Sequence, residues 1–357
     1  MGSFRRVILA FLLGTFAFLL VEAFLFRTNL YRRALLPFST TGSLEMVLDA
    51  ERTRPIRHPN QILAVGDSRM ALRIWLANRL GTKYTFAFAG IAGSLPRVWS
   101  YLIRDIDPTR NRYAAILLPV EDYDDEDWED IGNRSTDLRY LIYRLRYSDL
   151  PEFASSFTTN DLKMAAARGI LLRGMVLKDD LTDFLNNPAR RIDLVSGQTR
   201  SWYGVQEDFV GSNQSMEGLT IDWATRRATY PARLNAAERR MVDEVLLRGT
   251  TSQTGIKAAY MRQWFGKIID QYQGSRTKVI FYRMPRGPLL RPAGWVKKKT
   301  HSIRDLAAKP NTILLDEHLF DLLEKPKFFM DPLHLNAEGC RLFTEILTRK
   351  VSQVLGE

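Results

Sequence analysis

The stretch from Gln61 to Ser68 constrains the fold more than any other. Gln61 to Val65 reads as a buried strand, and it breaks at Gly66-Asp67-Ser68. Beyond the break, Met70, Leu72, Ile74, Trp75, Leu76 and Leu80 recur at spacings that predict a helix. Ser68 is therefore expected on a strand-to-helix turn, with its hydroxyl at the C-terminal edge of a sheet and the helix N-terminus beside it. The same alternation recurs along the chain. Strands are predicted over Tyr84 to Ala89, Ala114 to Leu118, Lys278 to Met284 and Thr312 to Leu315. Helices are predicted over Leu95 to Ile106, Asn235 to Leu247, Thr254 to Tyr272 and Arg341 to Leu355, the second opening on an N-cap at Asn235 with Glu238 three residues on, a capping-box variant. Such alternation implies an α/β fold with a doubly wound parallel sheet and a site at the carboxyl ends of its strands.

A Gly-Asp-Ser triplet is a weak motif alone, since a serine often only caps a turn. A second stretch gives it weight. In Asp331-Pro332-Leu333-His334, an aspartate stands three residues before one of only four histidines in the chain, just ahead of the last helix. A nucleophilic serine needs a base, and the base needs an orienting carboxylate. His301 and His318 are rival bases, but neither follows an aspartate by three residues ahead of a terminal helix.

Gly-Asp-Ser after the first strand and Asp-x-x-His before the last helix together resemble the SGNH (GDSL-type) hydrolases. The resemblance covers roughly residues 60 to 120 and 275 to 357, and implies a three-layer, flavodoxin-like fold. It implies Ser68 as nucleophile, His334 as general base and Asp331 as the group that holds the imidazole. In Phe88-Ala89-Gly90-Ile91-Ala92-Gly93-Ser94 it implies an oxyanion hole from the N-H groups of Ser68 and Gly93, with Gly90 easing the turn.

The third strand ends differently. Where the family usually has Gly-x-Asn-Asp, this chain has Pro119-Val120-Glu121-Asp122, so the side-chain donor of the oxyanion hole is replaced by a carboxylate. One lost donor costs on the order of 100- to 1,000-fold in rate. A similar loss among membrane-anchored SGNH-like proteins of polysaccharide O-acetylation points to that branch. The resemblance then implies an acyl esterase or O-acyltransferase for acetyl groups on an exported polysaccharide, with a multi-span acyltransferase as membrane partner and no cofactor. A non-catalytic glycan-binding subunit and a lipid-directed esterase are the alternatives. Arg69, Gly90, Glu121, Arg283 and Arg286 are the candidate substrate-binding residues.

The N-terminus sets the compartment. Val7 to Phe26 is an apolar run of bilayer-spanning length broken by Glu22 and preceded by Arg5 and Arg6. It is expected to be an anchor, residues 1 to 27, with Val21-Glu22-Ala23 leaving a cleaved signal peptide as the rival. Either reading exports the remainder to the periplasm or cell exterior. The net charge of +11 is scattered, without an aromatic-interleaved basic tract, which argues against nucleic acid and for an anionic surface or glycan. The single cysteine, Cys340, excludes an intrachain disulfide and falls in a helical pattern as a buried residue.

Residues 28 to 60 read as a connector with one helix near Ser43 to Arg52, and residues 61 to 357 as the α/β domain. An insertion is expected over about residues 125 to 235, with helical patterns at Leu138 to Tyr147, Asp161 to Leu177 and Leu181 to Asn187 and irregular chain over Ser196 to Arg227. Its Trp202, Tyr203 and Trp223 either stack on sugars or pack a local core. Ahead of it, Glu121 to Asp130 holds eight acidic residues without the spacing of a calcium loop, so a solvated acidic loop is expected and no metal site. Arg283 and Arg286, at the end of a predicted strand, either clamp a carboxylate or acidic sugar or else serve surface solubility or pair with the acidic loop.

Overall fold

The computed structural model describes residues 2–53, 60–120, 131–205, 212–247, 255–285, 287–288, 290, 294 and 303–357. The chain forms two compact units, residues 1–50 with 132–202, and residues 51–131 with 203–357.

The larger unit is built on a five-stranded sheet. Its strands are β1 (Gln61–Gly66), β2 (Thr85–Gly90), β3 (Ala115–Val120), β6 (Lys278–Arg283) and β7 (Thr312–Leu314), in the order β2-β1-β3-β6-β7. Every pairing among them is parallel. All six residues of β1 and of β3 are buried, as befits central strands covered on both faces. Alternate residues serve opposite layers. Ile280 and Tyr282 join a core with Phe343 of the closing helix Ala337–Val354, whereas Phe281 packs edge-on against Phe265 of the helix Gly255–Gln271 at 5.1 Å. Helix Pro96–Ile106 starts with proline, whose missing N-H costs nothing at that position. Its Tyr101 packs on Trp264 at 5.9 Å.

The chain runs from β1 out to β2, then back past β1 to β3, so the strand order reverses at β1. That reversal is the switch point where open α/β sheets place their sites. Ser68 follows β1 directly.

Between β3 and β6 in sequence, this unit carries the antiparallel hairpin β4 (Thr220–Asp222) and β5 (Arg227–Thr229), whose first strand and turn fall in the stretch expected to be irregular. Trp223 lies in its turn and is half-buried. Helix Ala236–Leu246 begins at Asn235, whose side chain accepts from the Ala237 and Glu238 N-H groups while Glu238 returns a bond to the Asn235 N-H at 2.8 Å. That capping box is the one the sequence spells.

The smaller unit is helical. Its first helix, Gly2–Arg27, includes a 24-residue stretch, Phe4–Arg27, long and apolar enough to cross a membrane or to act as a signal sequence. Near its end, the buried Glu22 lies 3.9 Å from Arg27 and accepts the Gly174 N-H at 3.3 Å. The stretch read as a connector carries the helices Asn29–Arg32 and Thr40–Thr53 and is tied down by charge. Arg32 reaches Glu45 at 3.0 Å and Asp49 at 2.9 Å, and Arg144 bonds the same Glu45 at 2.7 and 2.5 Å. The helical pattern expected over Asp161 to Leu177 divides into the helices Asn160–Leu171 and Arg173–Asn186. Its break at Leu172 frees Arg173 to donate to the Phe26 carbonyl at 3.0 Å and the Leu145 carbonyl at 2.9 Å. Helix Pro188–Val205 then covers part of the stretch expected to be irregular.

Candidate active site

Ser68 stands on a tight turn, closed by the Met70 N-H donating to the Asp67 carbonyl at 3.1 Å. The helix expected to start here does not. Met70, Ala71 and Leu72 are all buried but form no regular secondary structure. Thr344 of the closing helix accepts the Arg73 N-H at 3.0 Å. Only Ile74–Ala77 is helical. Ser68 therefore has no helix dipole at its back.

Asp67 holds the turn instead. Buried below the serine, its carboxylate accepts the Arg69 N-H at 2.9 Å and the Arg69 Nε at 3.1 Å, with the guanidinium Nη2 closer still. The Arg69 guanidinium thus folds back onto its own turn. Beneath lies Tyr282 of β6, fully buried, whose hydroxyl is driven far above the ordinary phenol range by burial and then by the Asp67 charge.

The second part comes from the other end of the chain. Residues 329 to 336 form a narrow loop, fastened by a bridge between Phe329 and Leu335, by the Met330 N-H on the His334 carbonyl at 2.9 Å and by the Asn336 N-H on the Phe328 carbonyl at 2.8 Å. Asn336 then caps the closing helix through the Gly339 N-H at 2.9 Å. Within the loop, Asp331 Oδ1 accepts the N-H groups of Leu333 at 2.7 Å and His334 at 2.8 Å, a turn typical of aspartate.

This loop brings the imidazole to the serine. His334 Nε2 is 3.0 Å from Ser68 Oγ, and His334 Nδ1 is 2.9 Å from Asp331 Oδ2. A carboxylate only accepts, so Nδ1 carries the proton and Nε2 presents its lone pair to the hydroxyl. Burial acts to raise the Asp331 pKa, but the bonds from the His334 ring and from two backbone N-H groups outweigh it and hold the carboxyl below its ordinary value. The serine is exposed, while the His334 and Asp331 side chains are about one-quarter exposed, at 26% and 23%.

Gly93 follows β2, the neighbour of β1, with the Ile91 N-H donating to the Gly66 carbonyl at 3.0 Å. Its φ of 70° is left-handed, a region that favours glycine, whereas Gly90 ends β2 in register with Gly66 and supplies no such turn. Gly93 is exposed. Among the described residues, neither the Gly93 nor the Ser68 N-H has an acceptor. Two donors on adjacent strand ends are thus available to a ligand.

The other expected residues are placed differently. Arg283 ends β6 but is buried and lies 3.9 Å from Glu317, an ion pair rather than an open clamp. Glu121 and Arg286, and the rival base His301, lie outside the described residues. His318 does pair with a carboxylate, Asp321 at 2.8 Å, but both are exposed on the surface. Among the described residues, no three metal-ligating side chains gather.

Two contributors carried no sequence motif. Arg233 donates to the Met330 carbonyl at 2.8 Å and to the Ser215 carbonyl at 2.5 Å, bracing the histidine loop. Gly287 lies against Pro332 in that loop. The fold and these groups define an α/β protein with a connected serine, histidine and aspartate at the sheet's switch point. No protein-family model and no curated protein matches the chain.

Proposed function

We propose that this chain is a membrane-anchored, extracytoplasmic SGNH-type serine acyl enzyme, an esterase or O-acyltransferase handling acetyl esters on a cell-surface or exported polysaccharide. The observation that carries the reading is the unbroken chain from Ser68 Oγ through His334 to Asp331, at 3.0 and 2.9 Å. In this reading His334 Nε2 takes the hydroxyl proton as Ser68 Oγ bonds to the ester carbonyl carbon. The Ser68 and Gly93 N-H groups hold the oxyanion. Collapse breaks the bond to the alcohol, which leaves with the proton from Nε2, and an acyl-serine remains. Water or a sugar hydroxyl then gives its proton to Nε2 and attacks the acyl carbon, releasing Ser68. The apolar first helix supports anchoring, with a multi-span acyltransferase as the donor's carrier across the membrane.

The test uses the full-length chain in detergent with a small acetyl ester and a fluorophosphonate. Phosphonate labelling and ester turnover in the wild type, both reduced roughly 1,000-fold or more in Ser68→Ala and His334→Ala, are expected. A folded wild type silent toward both reagents overturns the catalytic reading in favour of a glycan-binding subunit, the role that Glu121 in place of the oxyanion asparagine favours.

A further inference from the structure

The smaller unit contains a pocket of about 360 Å³ distant in sequence from the triad. Its cations are Arg139, Arg168 and Lys178, and its apolar wall includes Leu138, Met175 and Val176. Asp179 is the one acid among its lining residues. Among the described residues, the side chains of Arg139, Arg168 and Lys178 make no hydrogen bond or ion pair. Three exposed cations without an ion pair thus meet at one concavity against a single acid, Asp179.

The pocket is tied to the end of the first helix. Gly174 directly precedes its wall residues Met175 and Val176, and a Cβ on Gly174 would meet the Phe26 ring at 2.9 Å. Arg173, one residue earlier, bonds the Phe26 carbonyl at 3.0 Å. A 24-residue helix is about 36 Å long, a little more than a bilayer's hydrocarbon core, so its last turn lies at the headgroup layer. Met175 and Met164 are more than half exposed, at 53% and 54%, on the two helices that line the pocket. The exposed Met175 in the wall beside these cations suits a ligand with an anionic head and an apolar end.

We propose that this pocket binds the phosphodiester of an anionic phospholipid, with Arg139, Arg168 and Lys178 as its cationic contacts. The site would fix the rotation of the smaller unit about its anchor at the membrane surface. The inference rests on the anchored reading of the first helix and not on the chemistry of Ser68.

The full-length chain in zwitterionic micelles, titrated calorimetrically with dihexanoyl phosphatidylglycerol, dihexanoyl phosphatidylcholine and inorganic phosphate, tests it. Saturable binding of the anionic lipid is expected, at least tenfold tighter than either of the others. In the triple variant Arg139→Gln, Arg168→Gln, Lys178→Gln that binding should weaken roughly 100-fold, from about fivefold per charge. The three side chains have no partners to lose, and Arg139→Gln alone should show the fivefold step. Equal affinity of wild type and variants overturns the proposal, and inorganic phosphate binding as tightly as the lipid replaces the lipid with a free anion. Carbonate extraction separates the two readings. Wild type and triple variant should both resist it, and a wild type that is extracted overturns the anchor and this site with it.

Discussion

Gly287 and Pro332 approach so closely that a Cβ on the glycine would meet the Pro332 carbonyl oxygen at 2.1 Å. Gly287 also has a left-handed φ of 54°, so alanine there is strained twice over. Pro332 lies between Asp331 and His334, and the space taken by a methyl group must come from the loop that presents the imidazole. Gly287→Ala is expected to lower ester turnover by 10- to 100-fold, the usual cost of a displacement near 1 Å. It should also lower the melting temperature by several degrees while leaving the circular dichroism spectrum unchanged. Unaltered turnover and melting together would show that the loop yields freely.

Asp331 gives a prediction with a pH signature. Its carboxyl is held below the ordinary 3.8, so folding favours the ionised form. The stability it contributes is present above the unfolded value near 3.8 and is lost as pH falls through the lower folded value. Urea midpoints of wild type and Asp331→Asn should therefore differ at pH 7 and draw together below about pH 4. At pH 7 the variant should lose roughly 1,000- to 10,000-fold in turnover, because the amide no longer fixes which imidazole nitrogen faces Ser68. A gap between the midpoints that persists unchanged at pH 3 would mean the carboxylate is not what stabilises the loop.

What the sequence made legible follows from range. The strands and the capping box at Asn235 are local patterns, and the structure places them within a residue or two of where periodicity puts them. Ser68, Asp331 and His334 were marked by short motifs, though nothing in either motif states that 3.0 Å separates two residues 266 positions apart. The helix expected after Ser68 shrinks to Ile74–Ala77, because the Arg73 N-H is taken by the Thr344 hydroxyl of a helix that the sequence places 271 residues away. For Arg283 the clamp and the ion pair both stayed open, because the sequence shows it at a strand end and does not show Glu317 beside it. Residues 132–202 gave helices but no partner, since their counterpart, residues 1–50, lies far away in sequence.

Cys340 should behave as an inert core residue. Its thiol is wholly buried, and burial pushes its pKa up to about 12. Thiolate is the reactive species, so the native protein should resist iodoacetamide at pH 8 and take up one equivalent only after denaturation. Rapid native labelling would mean that the closing helix opens locally.

Arg233 has no place in the proposed chemistry, yet it braces the loop that does. Its guanidinium spans the Ser215 and Met330 carbonyls, and Met330 in turn donates to the His334 carbonyl at 2.9 Å. Removing it leaves the Ser68 and Asp331 contacts in place but loosens the loop backbone on one side. Arg233→Ala should therefore lower kcat by roughly tenfold with KM little changed, since binding groups are untouched and only the approach of the base is altered. Arg233→Lys should not restore the rate, because one ammonium on a flexible stem cannot reproduce a planar fork bridging two carbonyls. Full recovery with lysine would reduce the role of Arg233 to its charge, and a raised KM would move it from bracing the loop to binding the substrate.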